Sequence, residues 1–276
     1  MDNLIMETPV VSDTLVETKK KRAKPPPLQM CMHQEPNIIE IGVDEAGRGP
    51  LFGRVYAAAV ILPKDDSFDH FKMKDSKKFT SKKTNTIEEA AEYIKNNALA
   101  WHISYEDEKV IDKINILQAT QQAMHKAINE TRKKYDAKKY DAKKYHVKLY
   151  DEKQKQEKFH LLIDGNYFNP IIAKNGNKLE AIPYTCVEGG DNKFSSIAAA
   201  SILAKVSRDQ YIADLCSVNP ELVERYAIDA NKGYGAKKHL DGIREHGITI
   251  WHRRTFGICK TTFQSNPPES NKQTFP

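Results

Sequence analysis

The chain has 276 residues, 39% hydrophobic and 29% charged, with 43 Lys/Arg against 37 Asp/Glu for a net charge of +6. That length and composition fit one large domain with decorations, and no run of about eighteen apolar residues is present to form a membrane span. The N-terminus lacks a secretory signal's apolar stretch. Cys31, Cys186, Cys216 and Cys259 show no paired spacing, so reduced thiols in an intracellular, cytoplasmic protein are expected, not disulfides or a zinc site.

Residues 1–36 are polar, carry the run KKKRAKPPP at 19–27 and show no apolar period, the pattern of a disordered basic arm. Its cluster at 19–24 fits a nuclear address, a phosphate-binding tail or a plain solvated tail equally well. Ordered structure is expected from 37 to 259. IIEIGVD reads as a buried strand ending at Asp44, followed by a glycine-rich turn and a second strand over 53–62. A helix is predicted around 84–96, a third strand over 99–106 and a helix over 114–130.

Residues 131–158 hold eleven Lys/Arg against five Asp/Glu, a surplus equal to that of the whole chain. The pentad KKYDA occurs twice there, so the segment reads as a low-complexity insertion, either a charged extension of the preceding helix or a loop. KFHLLIDGN (158–166) and AIPYTCVEGGD (181–191) are strands that finish near Asp164 and Asp191. A strong helix follows over 195–215, its small residues suited to close packing on a sheet and its start suited to capping by Ser195 or Ser196. Residues 233–256 suggest a turn, a short helix and a basic segment, and 260–276 read as an unstructured tail. Strands alternating with helices argue an α/β fold with a covered sheet.

Three strands thus end in acids: Asp44 with Glu45, Asp164, and Asp191. Any one of these is an ordinary turn residue, but together they would gather where the loops of an α/β sheet diverge. Four carboxylates there repel one another unless a hard divalent cation, Mg²⁺ or Mn²⁺, lies between them. A pair of such ions is suited to phosphodiester hydrolysis.

DEAGRGPLFGRV, DSKK (75–78), LLIDGN, GGDNKFSSIAAASILAKVSRD, NKGYGAKKH and HRRTF resemble, in this order, the motifs of ribonuclease HII, the type 2 ribonuclease H. The resemblance spans roughly Ile38 to Phe256. It implies an RNase H-like α/β fold, a central mixed five-stranded sheet flanked by helices, with a C-terminal helical region. It also implies an endonuclease that cleaves the RNA strand of RNA–DNA hybrids and single ribonucleotides in duplex DNA, acting in ribonucleotide excision. The family's catalytic, metal-holding acids map onto Asp44, Glu45, Asp164 and Asp191. Its readers of the ribonucleotide 2′-OH map onto Gly47, Arg48, Gly49 and Tyr234, where glycines admit close backbone approach and the hydroxyl marks RNA.

Lys77 is assigned to phosphate binding only through the resemblance. Lys205 and Arg208, on the helix after Asp191, face either substrate or solvent, and Asp209 either supports the acids or pairs with Arg208. His239, His246 and His252 show no zinc-like convergence; His252 packs or binds phosphate. Ala236, Thr255 and Phe79 depart from the family's usual Thr, Ser and Leu. No sliding-clamp motif is visible near the C-terminus, and the complete acid set argues a monomer. Two other readings are a DNA-directed nuclease, which would need no 2′-OH reader, and a hybrid-binding module without activity, which would have no reason to keep four acids.

Overall fold

Residues 27–74, 76, 79, 86–144, 157–175 and 178–265 are described by a computed structural model. The basic cluster at 19–24, Lys77 and the part of the Lys/Tyr tract at 145–156 lie outside the described residues.

Strand β2 (Val55–Ile61) is buried along its whole length, and its alternation sorts the core into two layers. Ala57, Ala59 and Ile61 pack with Ala123, Met124, Ala127 and Ile128 of helix α2 (Glu108–Lys144) on one face. Tyr56, Ala58 and Val60 pack on the other with Ala91 and Ile94 of α1 (Ile87–Asn97) and Ala198–Leu203 of α3 (Ser195–Val218). Around β2 lie β1 (Ile38–Ala46), β3 (Ala100–Glu106), β4 (Lys158–Asp164) and β7 (Tyr184–Val187), in the order β3-β2-β1-β4-β7. β1 pairs antiparallel with β2 but parallel with β4, and β4 pairs parallel with β7, so the sheet is mixed, as expected.

A separate hairpin, β5 (Ile172–Asn175) and β6 (Lys178–Ala181), was not foreseen. The C-terminal region is helical: α4 (Glu221–Tyr226), α5 (Ile228–Asn231), α6 (Lys237–His246) and α7 (Gly257–Ser265). Its core of Phe52, Leu222, Tyr226, Ile243 and Trp251 closes over the end of α3.

The backbone of helix α3 lies against Gly42 of β1, where a Cβ would collide with the Ser196 carbonyl. Among the described residues this glycine is what lets the helix lie directly on β1, and it sets the depth at which Ser201 meets Asp44.

Several boundaries differ from expectation. Residues 27–36 are docked, not a free arm: Gln29 N–H donates to Lys193 O, and Ser195 N–H donates back to Gln29 O. That carbonyl also takes the Ser195 hydroxyl, so Phe194 is the N-cap and neither serine caps the helix. The buried Glu40 carboxylate draws the segment in, accepting from the Met32 and His33 amides, because a buried carboxylate without donors is costly.

Helix α2 starts at Glu108, breaks at Asn115 (φ 67°) and resumes with the Asn115 side chain accepting from Gln118 N–H. It then carries through the start of the supposed insertion. Tyr135 is buried in the main core and the Thr131 hydroxyl donates to Ala59 O, so these residues belong to the fold. Helix α7 likewise extends order into the tail expected from 260.

Candidate active site

The parallel register explains how the acids meet. Val43 pairs with Ile163, so Asp44 and Asp164 leave adjacent strands side by side. Asp164 pairs with Val187 on β7, and the turn after it, left-handed at Gly189 (φ 61°), returns Asp191 as part of a short 3-10 helix. The result is a cleft of about 440 Å³ lined by Asp44, Glu45, Asp164 and Asp191, by Gly47, Arg48 and Gly49, and by Lys205 and Tyr234. All the described candidates from the sequence therefore share one cavity.

Each acid has a local hold. Asp44 is 5% exposed; burial, then the charges of Glu45 and Asp164, raise its carboxyl well above the usual carboxylate range. The Ser201 hydroxyl and the Glu45 amide oppose that rise, and the Ser76 hydroxyl lies 3.2 Å from Ser201. Burial also raises Glu45, against the pull of Arg48, whose Nη1 sits 3.2 Å from Glu45 Oε1. Asp164 accepts from Gly190 N–H at 2.7 Å, and Asn192 donates to Asp191 at 3.0 Å. Among the described residues no three acid, histidine or cysteine side chains are gathered closely enough to hold an ion between them.

The Gly47–Gly49 turn is built on two buried arginines that sequence reading missed or left open. Gly47 (φ 92°) has Arg208 packed where a Cβ would stand. Arg208, 3% exposed, donates to the carbonyls of Phe52 and Lys232; it is turned away from bulk solvent and forms part of the cleft lining beneath Tyr234. Asp209 pairs with Lys205 at 2.7 Å, not with Arg208. Arg253, wholly buried, donates to the carbonyls of Gly47 at 2.6 Å, Arg48 at 3.0 Å, Pro50 at 2.8 Å and Gly53 at 2.8 Å. The segment read as merely basic is thus the clamp of the turn, and no local pattern distinguishes Arg253 from the exposed Arg254 beside it.

Tyr234 is 52% exposed, and a Cβ on Gly49 would stand 3.5 Å from its ring, ordinary contact distance. The turn and the tyrosine are bolted together by Leu51 N–H donating to Gly233 O.

A mixed sheet with a cleft of acids at its strand ends, closed by a helical region, defines the chain as an RNase H-like hydrolase of phosphodiester bonds. The solved ribonuclease H2 of Pyrococcus horikoshii is similar at a TM-score of 0.50 and 20% identity, over 82% of this chain and 97% of that one. Bst-RNase HIII in complex with Mn2+ is similar at a TM-score of 0.54 and 18% identity, over 84% and 71%. The family model for Ribonuclease HII matches residues 41–264. A Ribonuclease HII of Bacteroides thetaiotaomicron is 42% identical over 222 residues, 80% of this chain and 91% of its own length. One of Phocaeicola vulgatus is 41% identical over 232 residues, 84% and 96%. The chain belongs to the ribonuclease HII family.

Proposed function

We propose that this chain is an endonuclease that cuts the RNA strand of RNA–DNA hybrids and cuts at single ribonucleotides in duplex DNA, with a pair of Mg²⁺ or Mn²⁺ ions. The observation that carries this reading is the shared cleft, which the four acids line together with Gly47, Gly49 and Tyr234. A cleft that only hydrolysed phosphodiesters would have no use for the turn and the tyrosine.

The acids suit a divalent cation in donor type, being all oxygen. They also suit it in charge. Asp44 is held up by burial and by two neighbouring carboxylates, Arg48 offsets one acid, and Lys205 is engaged with Asp209. Asp44, Glu45, Asp164 and Asp191 line one cleft but form no ready cluster of three, so they would have to draw together to hold the metal, which when bound polarises a phosphodiester and lowers the pKa of water. The fold of Bst-RNase HIII, solved with Mn2+, supports the same ligand class.

The rest is done by the chain. Ser201 and the Glu45 amide orient Asp44, Gly190 N–H orients Asp164, and Asn192 orients Asp191, so the carboxylates face the cleft in defined poses. Gly49 presents main-chain groups to a sugar without a Cβ between, while Gly47 lets the turn close on the Arg208 side chain. Tyr234 offers a ring face to that sugar and a hydroxyl to its 2′ oxygen, the group that separates RNA from DNA.

The test is cleavage of two duplexes, one with a single ribonucleotide and one with an all-RNA strand, with metal and with EDTA. Asp44→Asn, Glu45→Gln, Asp164→Asn and Asp191→Asn are each expected to reduce cleavage by orders of magnitude while leaving duplex binding in place. Tyr234→Ala is expected to harm the single-ribonucleotide substrate more than the all-RNA one, and Gly49→Ala, which the protein itself accommodates, to do the same by filling the sugar's place. Full activity of Asp44→Asn, or in excess EDTA, refutes the mechanism.

A further inference from the structure

Two histidines beneath Tyr234 have no part in the chemistry above. His239 and His252 are both fully buried, with Phe52 and Tyr226 packed edge-on against His252. Their Nε2 atoms lie 3.1 Å apart. At one end His239 Nδ1 is 2.8 Å from the Tyr234 carbonyl; at the other, Thr249 N–H donates to His252 Nδ1 at 2.9 Å, and the Thr249 hydroxyl lies at the same distance.

The two ends dictate where the protons are. A carbonyl only accepts, so His239 carries its proton on Nδ1 and its Nε2 is bare. A backbone N–H only donates, so His252 Nδ1 is bare and its proton is on Nε2. The middle contact is then satisfied without further choice: His252 Nε2–H donates to His239 Nε2. The polarity deduced from either end is the same. An extra proton on His239 would set two N–H groups face to face at the centre, and one on His252 would oppose the Thr249 amide. Burial accordingly holds both imidazoles below the ordinary histidine range, His252 most strongly.

The neighbouring residue completes the picture. Arg253 grips the carbonyls of Gly47, Arg48, Pro50 and Gly53, while His252 reaches through His239 to the main chain of Tyr234. Consecutive residues thereby hold the two walls between which a sugar would sit. We infer that His252 and His239 are positioning residues: a neutral, one-way hydrogen-bond relay from Thr249 to the Tyr234 carbonyl sets the distance between Tyr234 and the Gly47–Gly49 turn, and with it the preference for a lone ribonucleotide. This rests on the function proposed above.

The relay itself is tested without activity. Histidine side-chain 15N NMR of the full chain near neutral pH should show His239 protonated at Nδ1, the rarer neutral form, and His252 at Nε2, with signals assigned through His239→Gln and His252→Gln. His239 found protonated at Nε2, or as a cation, overturns the relay.

Its consequence is tested with His239→Leu, which gives Tyr234 O no donor, and His239→Asn, whose amide nitrogen takes the place of Nδ1. The Leu variant should lose roughly tenfold more kcat/KM on the single-ribonucleotide duplex than on the all-RNA one, the scale of one hydrogen bond, and the Asn variant should recover most of that difference. Equal losses on both duplexes overturn the positioning role. If the Leu variant does not fold, the proton positions in the unmodified protein still decide. If the unmodified protein cuts neither duplex, the proposed function fails, and the NMR result alone judges the relay.

Discussion

Substituting Met for Arg253 keeps an unbranched apolar stem and deletes the guanidinium with its four hydrogen bonds. Of the carbonyls released, that of Arg48 belongs to an exposed residue and can turn to water, whereas Gly47, Pro50 and Gly53 are buried. Three orphaned buried acceptors at about 1–3 kcal/mol each give roughly 3–9 kcal/mol. The charge removed was itself unfavourable: burial, with Arg208 close by, pushes the Arg253 guanidinium down to about 10. That relief, and the freedom of the turn to swing outward, place the expected loss near the low end, about 3 kcal/mol. In a domain of this size it corresponds to a fall of roughly 6–12 °C in Tm. The outward swing moves Gly47–Gly49 away from Tyr234, and misplacement on the order of 1 Å costs about a hundredfold in rate. Arg253→Lys, with one compact ammonium for four fanned acceptors, should fall between. The assay is thermal unfolding in parallel with cleavage of the single-ribonucleotide duplex. An Arg253→Met protein that melts with the parent and cuts at its rate refutes the clamp.

Asp44→Asn should raise Tm in EDTA near neutral pH, because the parent must either ionise a buried carboxyl beside Glu45 and Asp164 or take up a proton to avoid doing so; added Mg²⁺ should remove the advantage, and an Asn variant less stable than the parent in EDTA would show that burial and repulsion of this carboxyl are not the governing effect. Two tyrosines of the Lys/Tyr tract should differ sharply: Tyr135→Ala, in the core, should cost about 3–5 kcal/mol, and Tyr140→Ala, 70% exposed, less than about 0.5 kcal/mol, both read by denaturant unfolding. His239 and His252 are depressed in the fold relative to the ordinary value of 6.5. The unfolded chain therefore takes up protons first, and the stability they contribute is present above that value and lost as pH falls through it. Melting curves from about pH 8 to about pH 5 should show this loss, and His239→Leu/His252→Leu should flatten it; an unchanged slope would mean that other groups titrate.

The sequence by itself determined the α/β class, the sheet strands, the long helices and the four acids. These are local facts: an apolar run with its period, then an acid or glycine where the run stops, and a short window of chain contains them. It also marked Gly47, Arg48, Gly49 and Tyr234, though only through the resemblance of their motifs. What the tertiary structure decided is which charges are buried and what they hold. Arg48, Arg208, Arg253 and Arg254 are one letter in the sequence, yet one pairs with Glu45, two are buried under the turn, and the last is exposed. Arg253 becomes a clamp because four carbonyls some two hundred residues away are brought around it, and the histidine relay exists because α6 and the turn after it close on each other. Residues 27–36 and Tyr135 carry weak local signals that match an arm and an insertion, but Glu40 and the core receive them. The reason is common to all of these: burial of a polar group or of a lone aromatic depends on partners distant in the chain, and only the assembled fold supplies them.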